Sequence, residues 1–245
     1  MRESRNRVAL VTGGSRGIGK AIALTMAEAG AAIAVNYRER GEEAEAVAEA
    51  IRKSGGRAAA FGADVSLRAA VHGMVHDVEE RLGPIDILVN NAGMAAVRGL
   101  DEITEEDFDR DIAVNLKSAF LCTQAVLPGM RARRWGRIVN ISSIGARVGA
   151  GSVSVAYGAS KAGLEGLTRG YALRLGSEGV TVNAVAPGLI DTEMGKPLIE
   201  AGVATRIPVR RVGLGDEIAQ AVMLLVGNAY MTGQTIAVNG GALFS

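Results

Sequence analysis

Short apolar runs alternate with segments of helical composition along the whole chain, and this alternation restricts the fold more than any other feature. The first apolar run covers residues 8–11 and is followed by a helical segment over residues 17–29. Seven such strands alternating with helices predict an α/β architecture, with a parallel sheet and helices on both faces. Further strands are expected at residues 31–35, 58–63, 85–89, 137–141, 180–185 and 235–238, and further helices at 42–54, 69–82, 104–133, 157–175 and 216–226.

No linker rich in proline, serine or repeated charge divides the 245 residues, which indicates a single domain over residues 1–245. Lysine plus arginine total 27 and aspartate plus glutamate 26, a balance that argues against nucleic acid or an anionic membrane as partner. With one cysteine, Cys122, and two histidines, we expect no disulfide and no metal site. No apolar run approaches about 18 residues, so we expect a cytoplasmic protein without a membrane helix.

A glycine-rich turn, Thr-Gly-Gly-Ser-Arg-Gly-Ile-Gly over residues 12–19, joins the first strand to the first helix. Glycine has no side chain to block the approach of a pyrophosphate to backbone N–H groups, and the helix N-terminus adds the positive end of its dipole. An ordinary glycine-rich turn is the alternative. We predict a doubly wound Rossmann fold that binds a dinucleotide through Gly13, Ser15, Arg16, Gly17, Ile18 and Gly19.

The end of the second strand indicates which dinucleotide is bound. NAD sites usually carry an acidic residue there for the ribose hydroxyls, whereas NADP sites carry a basic residue for the 2′-phosphate. The chain has Asn36, Tyr37 and Arg38 at this point, with no acid before Glu39. Arg38, assisted by Arg16, therefore favours NADP(H), although a solvated loop arginine would look the same in the sequence.

Further segments whose side chains are suited to catalysis or binding follow the later strands or lie in helices. They are Asn90-Asn91-Ala92-Gly93, Asn115, Ser142-Ser143, Tyr157-Gly158-Ala159-Ser160-Lys161 and Pro187-Gly188. Together with the glycine-rich turn, they resemble the short-chain dehydrogenase/reductase family over essentially the whole chain. The closest resemblance is to the bacterial 3-oxoacyl-carrier-protein reductase type. It implies that Asn115, Ser143, Tyr157 and Lys161 carry the catalysis.

The chemistry of these four residues is consistent with that role. Tyr157 and Lys161 stand four residues apart and share one face of a helix. A nearby ammonium stabilises a phenolate, so we expect Lys161 to lower the pKa of Tyr157 and make it an acid/base for a developing alkoxide. Ser143 would donate a hydrogen bond to the same oxygen. The resemblance adds that Lys161 holds the nicotinamide ribose and that Asn115 positions a water of the proton relay. Taken singly, Tyr157 could be a core tyrosine and Ser143 a loop cap.

The resemblance also implies cofactor contacts beyond the glycine-rich turn. Asp64 and Val65 would flank the adenine, although Asp64 could instead cap the following helix. Asn91, or its neighbour Asn90, would line the cofactor cleft. The full set is Tyr37, Arg38, Asp64, Val65, Asn90, Asn91, Ala92, Gly93, Tyr157, Lys161, Pro187, Gly188, Ile190 and Thr192, of which the last two would lie at the nicotinamide carboxamide.

Several features outside this set have open interpretations. A basic cluster around Trp135 could be a docking patch for an acidic carrier protein or a solvated helix end, and Glu178 weakens the first interpretation. Residues 194–212 are interrupted by glycine and proline. The resemblance implies that this segment covers the substrate, where Arg206 could pair with an acidic group. The basic cluster around Trp135 consists of Arg131, Arg133, Arg134 and Arg137.

The remaining candidates are expected to have no catalytic role. His72 and His76 are expected at the surface, and Cys122 is expected to be buried and inert.

These residues predict an NADPH-dependent carbonyl reductase, and the resemblance implies that it acts on 3-oxoacyl thioesters, as in fatty acid biosynthesis. The alternatives are an NAD(P)-dependent dehydrogenase of a sugar, polyol, steroid or other secondary alcohol, and a non-catalytic dinucleotide-binding regulator. The resemblance implies a homotetramer, with one interface over residues 107–130 and 156–175 and another over residues 216–226 and 235–238. Gly163, Gly166 and Gly170 and the apolar tail over residues 237–244 fit close packing by another subunit, or packing within one subunit.

Overall fold

Seven strands form one sheet in the computed structural model, which describes residues 4–95, 99–149 and 153–244. They are β1 Val8–Val11, β2 Ala32–Tyr37, β3 Ala58–Gly62, β4 Ile85–Asn90, β5 Gly136–Ile141, β6 Val180–Pro187 and β7 Thr235–Val238. The strand order is β3-β2-β1-β4-β5-β6-β7, and every neighbouring pair is parallel. This confirms the predicted doubly wound sheet.

Nine α-helices within the described ranges connect the strands and pack on both faces of the sheet. They are α1 Gly17–Glu28, α2 Gly41–Lys53, α3 Arg68–Leu82, α4 Glu105–Ile112, α5 Ser118–Ala132, α6 Gly145–Val148, α7 Val155–Leu175, α8 Lys196–Glu200 and α9 Gly215–Gly227. None of the helices in the described part of the chain is long and apolar enough to cross a bilayer.

The core has two layers because alternate residues of a strand point to opposite faces of the sheet. In β1, Ala9 and Val11 pack in the layer that contains residues of α1, α2 and α9. Val8 and Leu10 pack in the layer that contains residues of α3, α5 and α7. All four side chains are buried, which explains why β1 is a continuous apolar run rather than an alternating one.

The order of the strands reverses between β1 and β4, which lie side by side and lead to opposite halves of the sheet. Loops that leave the carboxyl ends of two such strands diverge, and the crevice between them is the usual ligand site of an open α/β sheet. The glycine-rich turn follows β1, so it lies at this crevice.

The helix predicted over residues 104–133 is divided in the structure. Thr104 caps α4 by accepting a hydrogen bond from the backbone N–H of Asp107 at 3.2 Å. A turn of π-helix, Ala113–Lys117, then separates α4 from α5. Single π-turns inside helices are frequent at functional sites, and this one carries Asn115.

Candidate active site

Backbone geometry keeps the turn after β1 open. Gly13 and Gly17 have φ of +62° and +52°, a region that favours glycine. A Cβ on Gly19 would lie 2.3 Å from the carbonyl oxygen of Gly13 and 2.5 Å from Nδ2 of Asn91, so this position has no room for a side chain. The turn therefore leaves its backbone and the N-terminus of α1 accessible, an arrangement that suits a pyrophosphate.

Thr12 and Asn91 tie this turn to the loop after β4. The Thr12 hydroxyl accepts hydrogen bonds from the backbone N–H groups of Asn91 and Ala92, each at 3.0 Å. In return, Nδ2 of Asn91 donates to the carbonyls of Thr12 and Gly13 at 2.9 and 3.0 Å. Asn91 therefore lies between the two loops, and its side-chain amide nitrogen holds them together through these hydrogen bonds.

Asn36 connects the same turn to the end of β3, a role that the sequence interpretation missed. Its Oδ1 accepts from the backbone N–H of Gly13 at 3.2 Å, while Nδ2 donates to the carbonyls of Phe61 and Ala63 at 3.3 and 3.1 Å. Asn36 is 2% exposed. The available signal in the sequence was an asparagine directly after the apolar run over residues 31–35.

Arg38 and Asp64 lie close together beyond β2 and β3. Partial burial raises the pKa of Asp64, but hydrogen bonds from the Ser66 hydroxyl (2.6 Å) and backbone N–H (2.9 Å), together with the charge of Arg38, outweigh it and lower the pKa. Asp64 closes a turn on Ser66, and α3 begins only at Arg68, so it does not cap that helix. Arg38 is half-exposed and pairs with Glu39 at 2.5 Å.

A second pair of arginines converges on one carboxylate. Arg16, in the glycine-rich turn, pairs with Glu193, and Arg40, directly before α2, pairs with the same carboxylate at 3.2 Å. All three side chains are at least 44% exposed. Glu193 follows β6, so these ion pairs connect the cofactor side of the cleft to the segment expected to cover the substrate. Neither Arg40 nor Glu193 was predicted, because their contact spans 153 residues.

Ser143 follows β5, and Tyr157 and Lys161 lie on α7, within the predicted site. Nζ of Lys161 is 5.8 Å from the centre of the Tyr157 ring and donates to the carbonyl of Ile141 at 2.8 Å. Lys161 is only 4% exposed, and burial lowers its pKa to about 8. The pair is therefore on one helix face, as the spacing of four residues predicts.

The prediction that Lys161 lowers the pKa of Tyr157 is wrong for this arrangement. Burial raises the pKa of Tyr157, a hydrogen bond with the Ser143 hydroxyl lowers it in part, and the charge of Asp111 raises it further. Burial removes water from the phenolate and so disfavours the charged form of the phenol. Tyr157 is consequently a protonated phenol at neutral pH, the form that can donate a proton.

Asn115 and Lys161 both approach Gly93 in the loop after β4. Asn115 accepts from the backbone N–H of Met94 at 2.8 Å and donates to its carbonyl at 3.0 Å. A Cβ on Gly93 would lie 3.0 Å from Oδ1 of Asn115 and 3.4 Å from Nζ of Lys161. The π-turn thus brings Asn115 next to the lysine, and its amide holds the loop backbone.

Asn90 differs from its neighbour Asn91. Its side chain is buried and donates to Oδ1 of Asn140 at 2.8 Å, and Asn140 in turn donates to the Thr168 hydroxyl at 2.9 Å. This polar chain links β4, β5 and α7 beneath the cleft. A contact of Asn90 with a cofactor would therefore come from its backbone.

The structure also locates the other residues that are expected to contact a cofactor. Thr192 lies beside the glycine-rich turn, where a Cβ on Gly17 would be 3.3 Å from its methyl group. The Gly188 N–H donates to the carbonyl of Val238 at 2.9 Å, which fixes the end of β6 against β7. Ser15, Val65 and Ile190 are buried, Ile18 and Tyr37 are partly buried against the core, and Pro187 is the last residue of β6.

The basic cluster around Trp135 is largely engaged within the chain. Arg137 is buried, donates to the carbonyl of Val226 at 3.2 Å and stacks on Trp135, so it belongs neither to a docking patch nor to a solvated helix end. Arg131 donates to the Glu178 carboxylate at 3.1 Å. Arg133 and Arg134 donate to the carbonyls of Ile85 and Ser177 at 2.6 and 2.9 Å.

Three further expectations concern residues away from the crevice. His72 and His76 are exposed as expected, and His76 lies 3.5 Å from Glu80 rather than pairing with His72. Cys122 is fully buried, and burial raises its pKa to about 12, so the thiol is unreactive in the folded chain. Residues 194–212 contain only the short helix α8 and a single 3-10 turn, and Arg206 in that turn is exposed.

Residues 7–202 match the sequence profile of the short chain dehydrogenase family, so the chain belongs to this family and is an oxidoreductase acting on CH–OH groups. Members of the family bind a nicotinamide dinucleotide. A 3-oxoacyl-[acyl-carrier-protein] reductase of Pseudomonas aeruginosa is 42% identical over 98% of this chain and 99% of that protein.

Other relatives differ in their named substrates. The (2S)-[(R)-hydroxy(phenyl)methyl]succinyl-CoA dehydrogenase subunit BbsD of Thauera aromatica is 43% identical over 97% of this chain and 96% of its own length. A solved structure from Agrobacterium tumefaciens, assigned as a gluconate dehydrogenase, superposes with a TM-score of 0.92 at 33% identity, covering 98% of both chains. Family membership thus fixes the reaction class and leaves the substrate open.

Proposed function

We propose that the chain is an NADPH-dependent reductase that converts a ketone into a secondary alcohol. The observation that carries this proposal is the convergence of Tyr157, Ser143 and Lys161 at the carboxyl edge of the sheet, with Tyr157 protonated at neutral pH. Tyr157 would donate its proton to the carbonyl oxygen as negative charge develops there, and the Ser143 hydroxyl would hydrogen-bond the same oxygen.

The residues of the crevice fit a dinucleotide phosphate. A Cβ on Gly13 would lie 3.0 Å from Cα of Ala92, so the turn is shaped by glycine where a pyrophosphate would approach. Arg38 and Arg16 supply positive charge beyond β2, where they pair with the exposed carboxylates of Glu39 and Glu193 and would exchange them for a 2′-phosphate. Lys161 would hold the nicotinamide ribose. When bound, NADPH supplies the hydride that adds to the carbonyl carbon.

The names of two relatives favour a thioester substrate. The Pseudomonas protein is named for an acyl chain on a carrier protein and the Thauera protein for an acyl-CoA, and both are over 40% identical to this chain. A 3-oxoacyl thioester is therefore the proposed substrate, with a role in fatty acid biosynthesis. The second candidate is a sugar or another secondary alcohol, which the name of the Agrobacterium structure favours.

A substrate panel tests this proposal. NADPH consumption is measured with acetoacetyl thioester on coenzyme A and on a carrier protein, and NAD⁺ and NADP⁺ reduction with sugars, polyols and steroid alcohols. We expect the thioester to give the highest kcat/KM. Oxidation of a sugar or polyol without turnover of either thioester would overturn the substrate proposal while leaving the reaction class intact.

We also propose a cytoplasmic homotetramer. Leu173 on α7 and Leu224 on α9 are 85% and 53% exposed, and all four residues of the outer strand β7 are only partly buried. Gly163 does not support this assembly, because a Cβ at this position would lie 2.8 Å from the Leu116 side chain of the same subunit. Light scattering at micromolar concentration is expected to give about four times the 25.3 kDa of one chain. A mass near that of one chain would refute assembly.

A further inference from the structure

Glu165, on α7, has a carboxyl group that the proposed mechanism does not use. The residue is only 5% exposed, and acidic side chains are almost never buried unless they are paired. It follows Tyr157 and Lys161 at intervals of four residues, so the three side chains lie along one face of α7. Its position therefore makes Glu165 a candidate for a role in the active site.

The partners of Glu165 lie on both sides of Ser143 in the chain. The Ser142 hydroxyl, directly after β5, shares its proton between the carbonyl of Lys161 at 3.2 Å and Oε1 of Glu165 at 3.4 Å. Nη2 of Arg147, on α6, lies 3.5 Å from Oε2 of the same carboxylate. Glu165 thus contacts the residue before Ser143 and a residue four positions after it.

The short segment between these two contacts, residues 142–147, carries Ser143. Within it, the backbone N–H of Ile144 donates to the carbonyl of Pro187 at 3.0 Å, which fixes the segment against β6. The contacts of Glu165 fix the same segment against α7, the helix of Tyr157. They therefore bear on the separation between the Ser143 and Tyr157 side chains, which are hydrogen-bonded to each other.

Arg169 provides an internal comparison, because it pairs with the same carboxylate. Its Nη1 lies 3.8 Å from Oε2 of Glu165, but Arg169 is on α7 itself and 61% of its side chain is exposed. Arg147 is 32% exposed and belongs to the segment of Ser143. The pair with Arg169 therefore joins two residues of one helix, whereas the pair with Arg147 joins α6 to α7.

We propose that Glu165 is a positioning residue that keeps Ser143 at hydrogen-bond distance from Tyr157. It does so through Ser142 and Arg147 and takes no part in proton transfer. This inference rests on the proposed function, in which Ser143 and Tyr157 act on the same substrate oxygen. A hydroxyl that stabilises developing charge must stand close to the reacting atom, and a displacement of about 1 Å can lower the rate by about 10²-fold.

Glu165→Gln and Arg147→Gln test the proposal, with Arg169→Gln as the matched control. Each variant removes one charge from the same cluster, but Arg169→Gln leaves residues 142–147 attached to α7. The kcat and KM are measured for reduction of acetoacetyl-coenzyme A with NADPH. We expect kcat to fall by about 10–10²-fold in the first two variants, the KM for NADPH to stay within about threefold, and Arg169→Gln to match the parent. Should Glu165→Gln fail to fold, Arg147→Gln, at a partly exposed site, carries the same test.

A Ser143→Ala background separates positioning from a general structural effect. If Glu165 acts through the Ser143 hydroxyl, its loss costs nothing more once that hydroxyl is gone. The double variants with Glu165→Gln and with Arg147→Gln should therefore have the kcat of Ser143→Ala alone. A weakened fold would instead lower kcat by the same factor in both backgrounds, and that result would overturn the proposal.

Hydrogen exchange followed by mass spectrometry gives a second readout that needs no turnover. A peptide covering residues 142–147 is expected to exchange faster in Glu165→Gln and Arg147→Gln than in Arg169→Gln, because its attachment to α7 is weakened. Equal exchange in the three variants would also overturn the proposal. If Ser143→Ala itself kept the kcat of the parent, the proposed function of Ser143 would fail instead, and the exchange result would still decide whether Glu165 holds this segment.

Discussion

The two sides of the cleft are held in place by different kinds of contact. On the cofactor side, buried or partly buried hydrogen bonds of Thr12, Asn36 and Asn91 fix the backbone of three loops. On the substrate side, residues 194–212 contain one five-residue helix and one 3-10 turn. Glu193, directly before this segment, is held by exposed ion pairs to Arg16 and Arg40. Exposed ion pairs contribute little to stability, so the geometry of the cofactor side is preset whereas the substrate side is adjustable.

The largest expected effect concerns the chemistry between the two sides. Tyr157→Phe removes one hydroxyl and leaves the ring in place, so NADPH binding should persist while kcat falls by about 10²–10⁴-fold, the usual contribution of a general acid. NADPH fluorescence titration and steady-state rates measure the two quantities. A variant that retained a rate within about threefold of the parent would remove Tyr157 from the mechanism.

Gly19→Ala tests whether the cofactor side is preset. Its Cβ would lie 2.3 Å from the carbonyl oxygen of Gly13, so the turn must shift, at about 1–3 kcal/mol of stability for overpacking. Thermal unfolding and NADPH titration are both expected to show losses. Gly73→Ala on α3 is the control, because its Cβ meets no atom within 4 Å, and it should leave stability unchanged or increased. Equal behaviour of the two variants would contradict a rigid cofactor side.

Arg38→Ala addresses how the cofactor side distinguishes two dinucleotides. Loss of one charge-assisted hydrogen bond to a 2′-phosphate should weaken NADPH binding by about 10–150-fold. NADH lacks this phosphate and should bind almost as in the parent. Comparing kcat/KM for both cofactors checks the prediction, and a parallel loss for the two would mean that Arg38 contacts no phosphate.

The smallest effect is expected where the two sides meet. Glu193→Gln releases Arg16 and Arg40 from an exposed carboxylate, and exposed pairs are worth about 0–1 kcal/mol, so NADPH affinity should rise by about fivefold at most. The gain should shrink at high salt, which screens the competing charges. Glu200→Gln, an exposed acid on α8, serves as the matched control. A fall in affinity would show that Glu193 supports the cofactor site instead of competing with its ligand.

The local sequence was sufficient to predict the cofactor side of the cleft. It was insufficient to predict several other groups that surround the catalytic residues. The strands and the glycine-rich turn are predictable, because an apolar run or a missing Cβ has its effect within a few residues. The π-turn that carries Asn115, the ion pairs of Glu193 and the buried carboxyl of Asp111 depend on contacts with distant segments. The direction of the Tyr157 pKa was mispredicted for the same reason, since burial and Asp111 act on it through space.

Cys122 has a practical consequence for studying this chain. It is the only cysteine, it is fully buried in α5, and its thiol is held in the unreactive form. A thiol reagent can therefore react only when the surrounding layer opens, so the rate of labelling in a native solution reports that opening. The same shielding allows a fluorophore to be attached to a cysteine introduced at the surface while the native thiol stays unlabelled.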